Sequence, residues 1–173
     1  MAAALAAALS IVWTSWRNGI SPMPSSLRVR QAVAAEVNRI GGGLLVEAGS
    51  GWGTLGVHLA KHCPGWQVAG VENSPVPLAV SRLAARVLFR GREGEPPVVF
   101  RRGDLYGFPY REAGAVVCYL YPGAMKRLGP LLAEQLSSGS LVVSVCFALP
   151  GWQPERIVTC RDMYRTRIYV YRK

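Results

Sequence analysis

An apolar run, Leu44-Leu45-Val46-Glu47-Ala48, empties into Gly49-Ser50-Gly51-Trp52-Gly53. A short apolar run that ends in alternating glycines reads as a buried strand turning sharply at its carboxyl end. Glycine lets the backbone turn tightly and lets it approach a ligand closely. In an open α/β sheet the ligand sits outside the carboxyl ends of the strands, where the strand order reverses. Nineteen residues past Gly53 a second strand ends at Glu72. That is the place for a carboxylate accepting both hydroxyls of a ribose. A third strand ends at Gly103-Asp104, where an acceptor can take the exocyclic amine of an adenine. Gly51-Trp52-Gly53-Thr54-Leu55-Gly56 matches the dinucleotide fingerprint letter for letter. Glu47 argues against a pyrophosphate there, since a carboxylate repels phosphates and suits an ammonium or sulfonium.

The remaining pattern alternates helix and strand. Val29, Val33, Val37 and Ile40 share one face of a helix expected over residues 27–40, which Gly41-Gly42-Gly43 stops. Further helices are expected over 54–63, 75–90 and 123–136, the second with Leu78, Arg82, Ala85 and Leu88 three or four apart. Strands are expected over 44–48, 67–72, 98–101, 114–120 and 140–147. Alternation of this kind implies right-handed crossovers and a mostly parallel sheet covered on both faces. Residues 156–160 and 166–171 break the alternation and predict a closing antiparallel hairpin. The length of 173 residues suits one domain and leaves no room for a second nucleotide-binding half.

The sequence Glu47-x-Gly49-x-Gly51-x-Gly53, the acid after strand two and the Gly-Asp after strand three together resemble a class I S-adenosylmethionine-dependent methyltransferase over residues 20–173. The implied fold is Rossmann-like: a mostly parallel seven-stranded sheet with helices on both faces and an antiparallel C-terminal hairpin. A narrower resemblance rests on Pro22-Met23-Pro24-Ser25, Tyr119-Leu120-Tyr121-Pro122, residues 139–144, and Phe147-Ala148-Leu149-Pro150-Gly151-Trp152-Gln153-Pro154. These are similar to the small lysine methyltransferases of the ATP-synthase c-subunit and the adenine nucleotide translocase, and to their bacterial relatives. The resemblance implies S-adenosyl-L-methionine as cofactor, held by Glu47, Gly49, Ser50, Gly51, Gly53 and Asn73, with Glu72 at the ribose and Asp104 and Leu105 at the adenine. Tyr119 borders both cofactor and acceptor, and Tyr121 and Pro122 complete the acceptor side. The chain departs from the eukaryotic pattern at Trp52, where Asp is usual, and at Gly123, where Ser is usual.

The implied reaction is methyl transfer to a protein lysine, on a membrane protein by the same resemblance. Other acceptors on this fold are RNA and small molecules, and a non-catalytic nucleotide-binding module is a further alternative. The net charge of +10 favours an anionic partner such as RNA, or a basic composition without a partner. No Asn-Pro-Pro-Tyr-like tetrad follows the fourth strand, which counts against amino groups of bases. No metal is expected: His58 and His62 stand four apart on a helix without a third ligand. The cysteines Cys63, Cys118, Cys146 and Cys160 form no CxxC pair. Cys118 and Cys146 read as small buried hydrophobes in a reducing compartment, cytoplasmic or on the matrix side of an organelle. Residues 1–17 are set apart by a Pro/Ser/Gly break from a domain of residues 18–173. Residues 2–16 are uncharged and would span about 22 Å as a helix, short of the roughly 30 Å hydrocarbon core. With Trp13 and Trp16 before Arg17 they suit membrane association at the interface.

Overall fold

The computed structural model describes residues 5, 8–10, 12, 13 and 24–173. The expected arm over residues 1–17 and the break that follows it lie outside these, apart from Leu5, residues 8–10, Val12 and Trp13, which are helical, and residues 24–26 of the break. No helix among the described residues is long and apolar enough to cross a membrane.

Within residues 24–173, four helices and seven strands follow one another as α1 (Leu27–Val37), β1 (Gly43–Ala48), α2 (Thr54–His62), β2 (Trp66–Glu72), α3 (Pro75–Leu88), β3 (Val98–Arg102), β4 (Ala113–Cys118), α4 (Pro122–Gln135), β5 (Leu141–Val145), β6 (Arg156–Thr159) and β7 (Arg167–Arg172). Local chemistry starts three of these helices. The Ser26 hydroxyl accepts the Val29 N–H at 3.3 Å to cap α1. Pro75 and Pro122 open α3 and α4, where a missing N–H costs nothing.

The sheet order is β3-β2-β1-β4-β5-β7-β6. Strands β1 to β5 pair in parallel, while β7 is antiparallel to β5 and β6 antiparallel to β7, the expected closing hairpin. The order reverses between β1 and β4, so the crevice opens at their carboxyl ends. Successive residues face opposite sides of the sheet. Leu45, Ala115, Val117, Leu141, Val143 and Val170 pack with α1 and α2. Val46, Val116, Val142 and Tyr171 pack with Met125, Leu128 and Leu132 of α4. Trp152 meets the Tyr171 ring edge-on at 5.9 Å, plugging the sheet on this side.

Several expected boundaries shift. Helix α1 gives way to a turn after Val37, and Leu88 at the end of α3 is 48% exposed. Strand β4 stops at Cys118, so Tyr119 and Leu120 leave the sheet toward the crevice. Strand β5 stops at Val145, where its pairing with β7 ends. Cys146 donates its N–H to the Arg167 carbonyl at 2.8 Å and then takes a left-handed φ of 73°. It is therefore half-buried at the crevice rather than a buried strand residue. Cys118 is fully buried as expected, and burial pushes its thiol up to about 12.

Candidate functional site

At the carboxyl ends of β1 to β5 lies a cavity of about 680 Å³, within the range of small-molecule sites. Its floor is the loop between β1 and α2. The N–H groups of Gly49 and Ser50 both reach the Val71 carbonyl at 3.0 Å, which locks the turn onto β2. Gly49 has a φ of 77°, and a Cβ there would stand 2.7 Å from Leu120 Cδ2. Only glycine lets Leu120 close over this turn.

Glu72, at the end of β2, is buried and held by the backbone on both oxygens. Oε2 accepts the Gly51 N–H and Oε1 the Ser74 N–H, each at 2.7 Å. Each oxygen keeps a lone pair for a ligand hydroxyl. Glu47, one strand over, is 5% exposed, and its Oε2 has no hydrogen-bond partner. Burial pushes its carboxyl up from about 4.5 to about 8; the Gly56 N–H on the first turn of α2 lowers it in part, and nearby Glu72 raises it further. A buried carboxyl at a cavity with an unpartnered oxygen keeps its proton until a cationic group in that cavity favours its ionised form.

After β3, Asp104 Oδ1 accepts the Tyr106 N–H at 3.0 Å, and the Leu105 carbonyl accepts the Tyr110 hydroxyl at 2.7 Å. Asp104 is exposed, a turn-capping residue whose carboxylate borders the cavity. Tyr119 and Tyr121 line the far side, together with Cys146 and Phe147 beyond β5. Burial raises the Tyr119 hydroxyl above the usual tyrosine range, and Cys146, Asp162 and Tyr164 add to it. It stays protonated at neutral pH and meets a ligand as a neutral ring.

Of the residues expected from the sequence, Glu47, Gly49, Ser50, Gly51, Glu72, Asn73, Asp104, Leu105, Tyr119 and Tyr121 converge on this cavity. Two do not. Gly53 is buried behind the loop, where a Cβ would stand 2.6 Å from Ser81 Cβ and 2.7 Å from Phe100 Cζ. It lets α2 pack on the sheet and is not among the residues that line the cavity. Pro122 is exposed, lies outside the cavity wall and serves as the first residue of α4.

The expected set lacked one wall of the cavity. The Arg127 guanidinium lies 3.8 Å over the Tyr106 ring, and both border the cavity with Ala124. Stacking of a cation on a ring holds both in place. Nothing in the sequence links these two, which sit on different elements. Phe147 closes the apolar run of residues 140–147, and the structure places it two residues past the end of β5.

The ANTKMT methyltransferase domain matches residues 47–156. Adenine nucleotide translocase lysine N-methyltransferase of Mus musculus is 35% identical over 117 residues, covering 67% of this chain and 48% of the mouse protein. The chain thus spans about half the length of that relative. A protein-lysine N-methyltransferase of Saccharolobus islandicus (strain REY15A) is 26% identical over 152 residues, 87% of this chain and 90% of its own. Among solved structures, an RNA methyltransferase from Salinibacter ruber in complex with S-adenosyl-L-homocysteine superposes with a TM-score of 0.74 at 30% identity, covering 87% of this chain and 93% of that one. A putative methyltransferase of Escherichia coli, with a TM-score of 0.67 at 13% identity over 87% of each chain, shares the fold.

Proposed function

The chain belongs to the ANTKMT methyltransferase domain family, and from that premise we infer that it is an S-adenosylmethionine-dependent methyltransferase acting on protein lysine. The observation that carries the reading is the pair of buried acids at the crevice: Glu47 with an unpartnered oxygen, and Glu72 held by backbone on both of its own. A zwitterionic sulfonium nucleoside suits both. Glu72 takes the ribose hydroxyls, Asp104 and Leu105 border the adenine, and Glu47 faces the cationic end.

S-adenosylmethionine supplies an electrophilic methyl group on its sulfonium. The protein contributes placement and exclusion of water. An acceptor lysine is nucleophilic only as the neutral amine, and its ordinary pKa is about 10.4. A pocket walled by Tyr119, Tyr121 and Phe147 strips water from the ammonium and lowers that value. The same rings hold the methylated cation by their faces, worth about 0.5–2 kcal/mol. The cavity wall contains no histidine or lysine among its described residues, and its acids are Glu47, Glu72 and Asp104. No side chain is assigned the proton, which leaves the amine before attack.

Two finer readings follow. The uncharged segment of residues 2–16 associates with a membrane interface, placing the enzyme near membrane-protein lysines. A second acceptor class, RNA, is favoured by the charge of +10 together with the likeness to the Salinibacter enzyme.

Labelling a lysate with tritiated S-adenosylmethionine, with and without the enzyme, tests the reading. Label in a protein band that resists ribonuclease and yields methyl-lysine on hydrolysis is the expected result. Label lost to ribonuclease assigns the RNA acceptor. Calorimetry with S-adenosylhomocysteine and with NAD tests the ligand: tight binding of NAD alone overturns the cofactor assignment.

A further inference from the structure

We propose that Gly123 is a specificity-determining residue of the acceptor pocket, because its missing Cβ lets the Tyr121 ring lie back on the first turn of α4. The inference rests on the methyl-transfer reading above and concerns how the same cavity admits its acceptor.

The chain leaves β4 at Cys118 and enters α4 at Pro122, so Tyr121 is the N-cap. N-cap positions favour a short polar side chain that binds a free helix N–H. Tyr121 makes no such bond, and its backbone is extended at φ −71° and ψ 162°. Its ring folds back instead over the residue two places on. A Cβ on Gly123 would stand 2.6 Å from Tyr121 Cε2, 3.3 Å from Cδ2 and 3.5 Å from Cζ. All three nearest atoms belong to that ring. Gly123 lies inside the helix and its φ is not positive, so its backbone conformation is open to any residue. Glycine is a poor helix former. The local structure therefore gains one thing from glycine at 123, which is room for the ring.

The position of that ring matters because it borders the cavity. Gly123 and Arg127, four residues apart, share a face of α4. Arg127 stacks on Tyr106, and Tyr106, Arg127 and Tyr121 all line the cavity. The first turns of α4 thus set one wall, with the Tyr121 ring seated against Gly123. The ring has the helix on one flank and the cavity on another. A side chain at 123 displaces it from the helix and reshapes the acceptor opening, while the acids and the glycine turn that hold the cofactor stay as they are.

The test is Gly123→Ala in the full chain, with tritiated S-adenosylmethionine as donor and lysate protein as acceptor. Alanine favours the helix, so the melting temperature should hold or rise. The affinity for S-adenosylhomocysteine should stay within about twofold. Transfer at limiting acceptor should fall about tenfold, and that fall should vanish when Gly123→Ala is made in a Tyr121→Ala background. A crystal structure of Gly123→Ala should show the ring displaced by more than about 1 Å. Transfer unchanged in Gly123→Ala, a fall of the same size without Tyr121, or a ring that keeps its place overturns the inference while leaving the methyl-transfer reading intact. A wild-type chain that transfers no label overturns that reading, and this inference with it.

Discussion

Glu72 accepts the Gly51 N–H through Oε2 at 2.7 Å, tying the end of β2 to the glycine turn after β1. The other oxygen holds Ser74 at the entrance to α3. One carboxylate thus shapes the floor of the cavity and presents acceptors to it. Glu72→Ala should weaken S-adenosylhomocysteine binding by at least the worth of a charged hydrogen bond, about 1.5–3 kcal/mol, or roughly ten- to a hundredfold. The chain should remain folded, because Glu72 lies at the rim of the core and not within it. Calorimetry checks this, and an unchanged affinity would remove Glu72 from the site.

Glu47 links binding and stability to pH. Its carboxyl is raised by burial from about 4.5 to about 8. Between those values the folded chain holds a proton that the unfolded chain has released. Stability contributed by this site is therefore present at low pH and declines as pH rises through that window, by at most about 1.4 kcal/mol per pH unit. Glu47→Gln should remove the slope, so the variant should melt above the wild type at pH 8 and near it at pH 4. A cationic ligand favours the ionised carboxylate, so cofactor binding at pH 7 should release protons. Titrations in buffers of different ionisation heat measure that release. Heats independent of buffer would show that Glu47 does not change its protonation on binding.

The acids at the crevice were legible because each stands within two residues of a strand end, which is readable from an apolar run meeting glycine or asparagine. Glu47 stood out further as a charge inside an apolar run, which required a partner or a function. Gly53 and Pro122 do not line the cavity, for a common reason. Both sit in motifs whose neighbours touch the cavity, but Gly53 turns its Cα toward Ser81 and Phe100 of other elements, and Pro122 turns toward solvent. The Tyr106–Arg127 stack joins a loop residue to a helix residue 21 positions away, and no local pattern encodes it. Cys146 hid inside the run Ser140 to Phe147, since a single left-handed φ is invisible to hydropathy.

The apolar arm can be tested without disturbing the cavity, because none of its described residues lines it. Leu5, Leu9, Val12 and Trp13 are 57–67% exposed on helical turns, a spacing that groups them toward one side. Exposed apolar residues on one helix side suit an interface. Deleting residues 1–17 should release the protein from anionic phospholipid vesicles and leave S-adenosylhomocysteine affinity unchanged. A full-length chain that stays in the supernatant with vesicles present would end the anchoring idea.

Gly51 and Gly53 separate ligand contact from packing. Gly53 is the residue before α2 and takes a φ of 74°, a region that costs a side chain about 1–2 kcal/mol. An added Cβ also meets Ser81 and Phe100 inside 3 Å, and overpacking of this kind costs about 1–3 kcal/mol. Gly53→Ala should therefore lose about 3 kcal/mol of stability, a fall of roughly 10 °C in melting temperature for a chain of this size. Phe100 also packs against Gly56 and Gly70, so it has little space into which to move. Cofactor affinity of the fraction still folded should change little, because Gly53 does not line the cavity. Gly51 borders the cavity, and Gly51→Ala should weaken cofactor binding instead. Thermal melts set beside calorimetry for the two variants check the division, and a Gly53→Ala chain that melts with the wild type would refute the packing role.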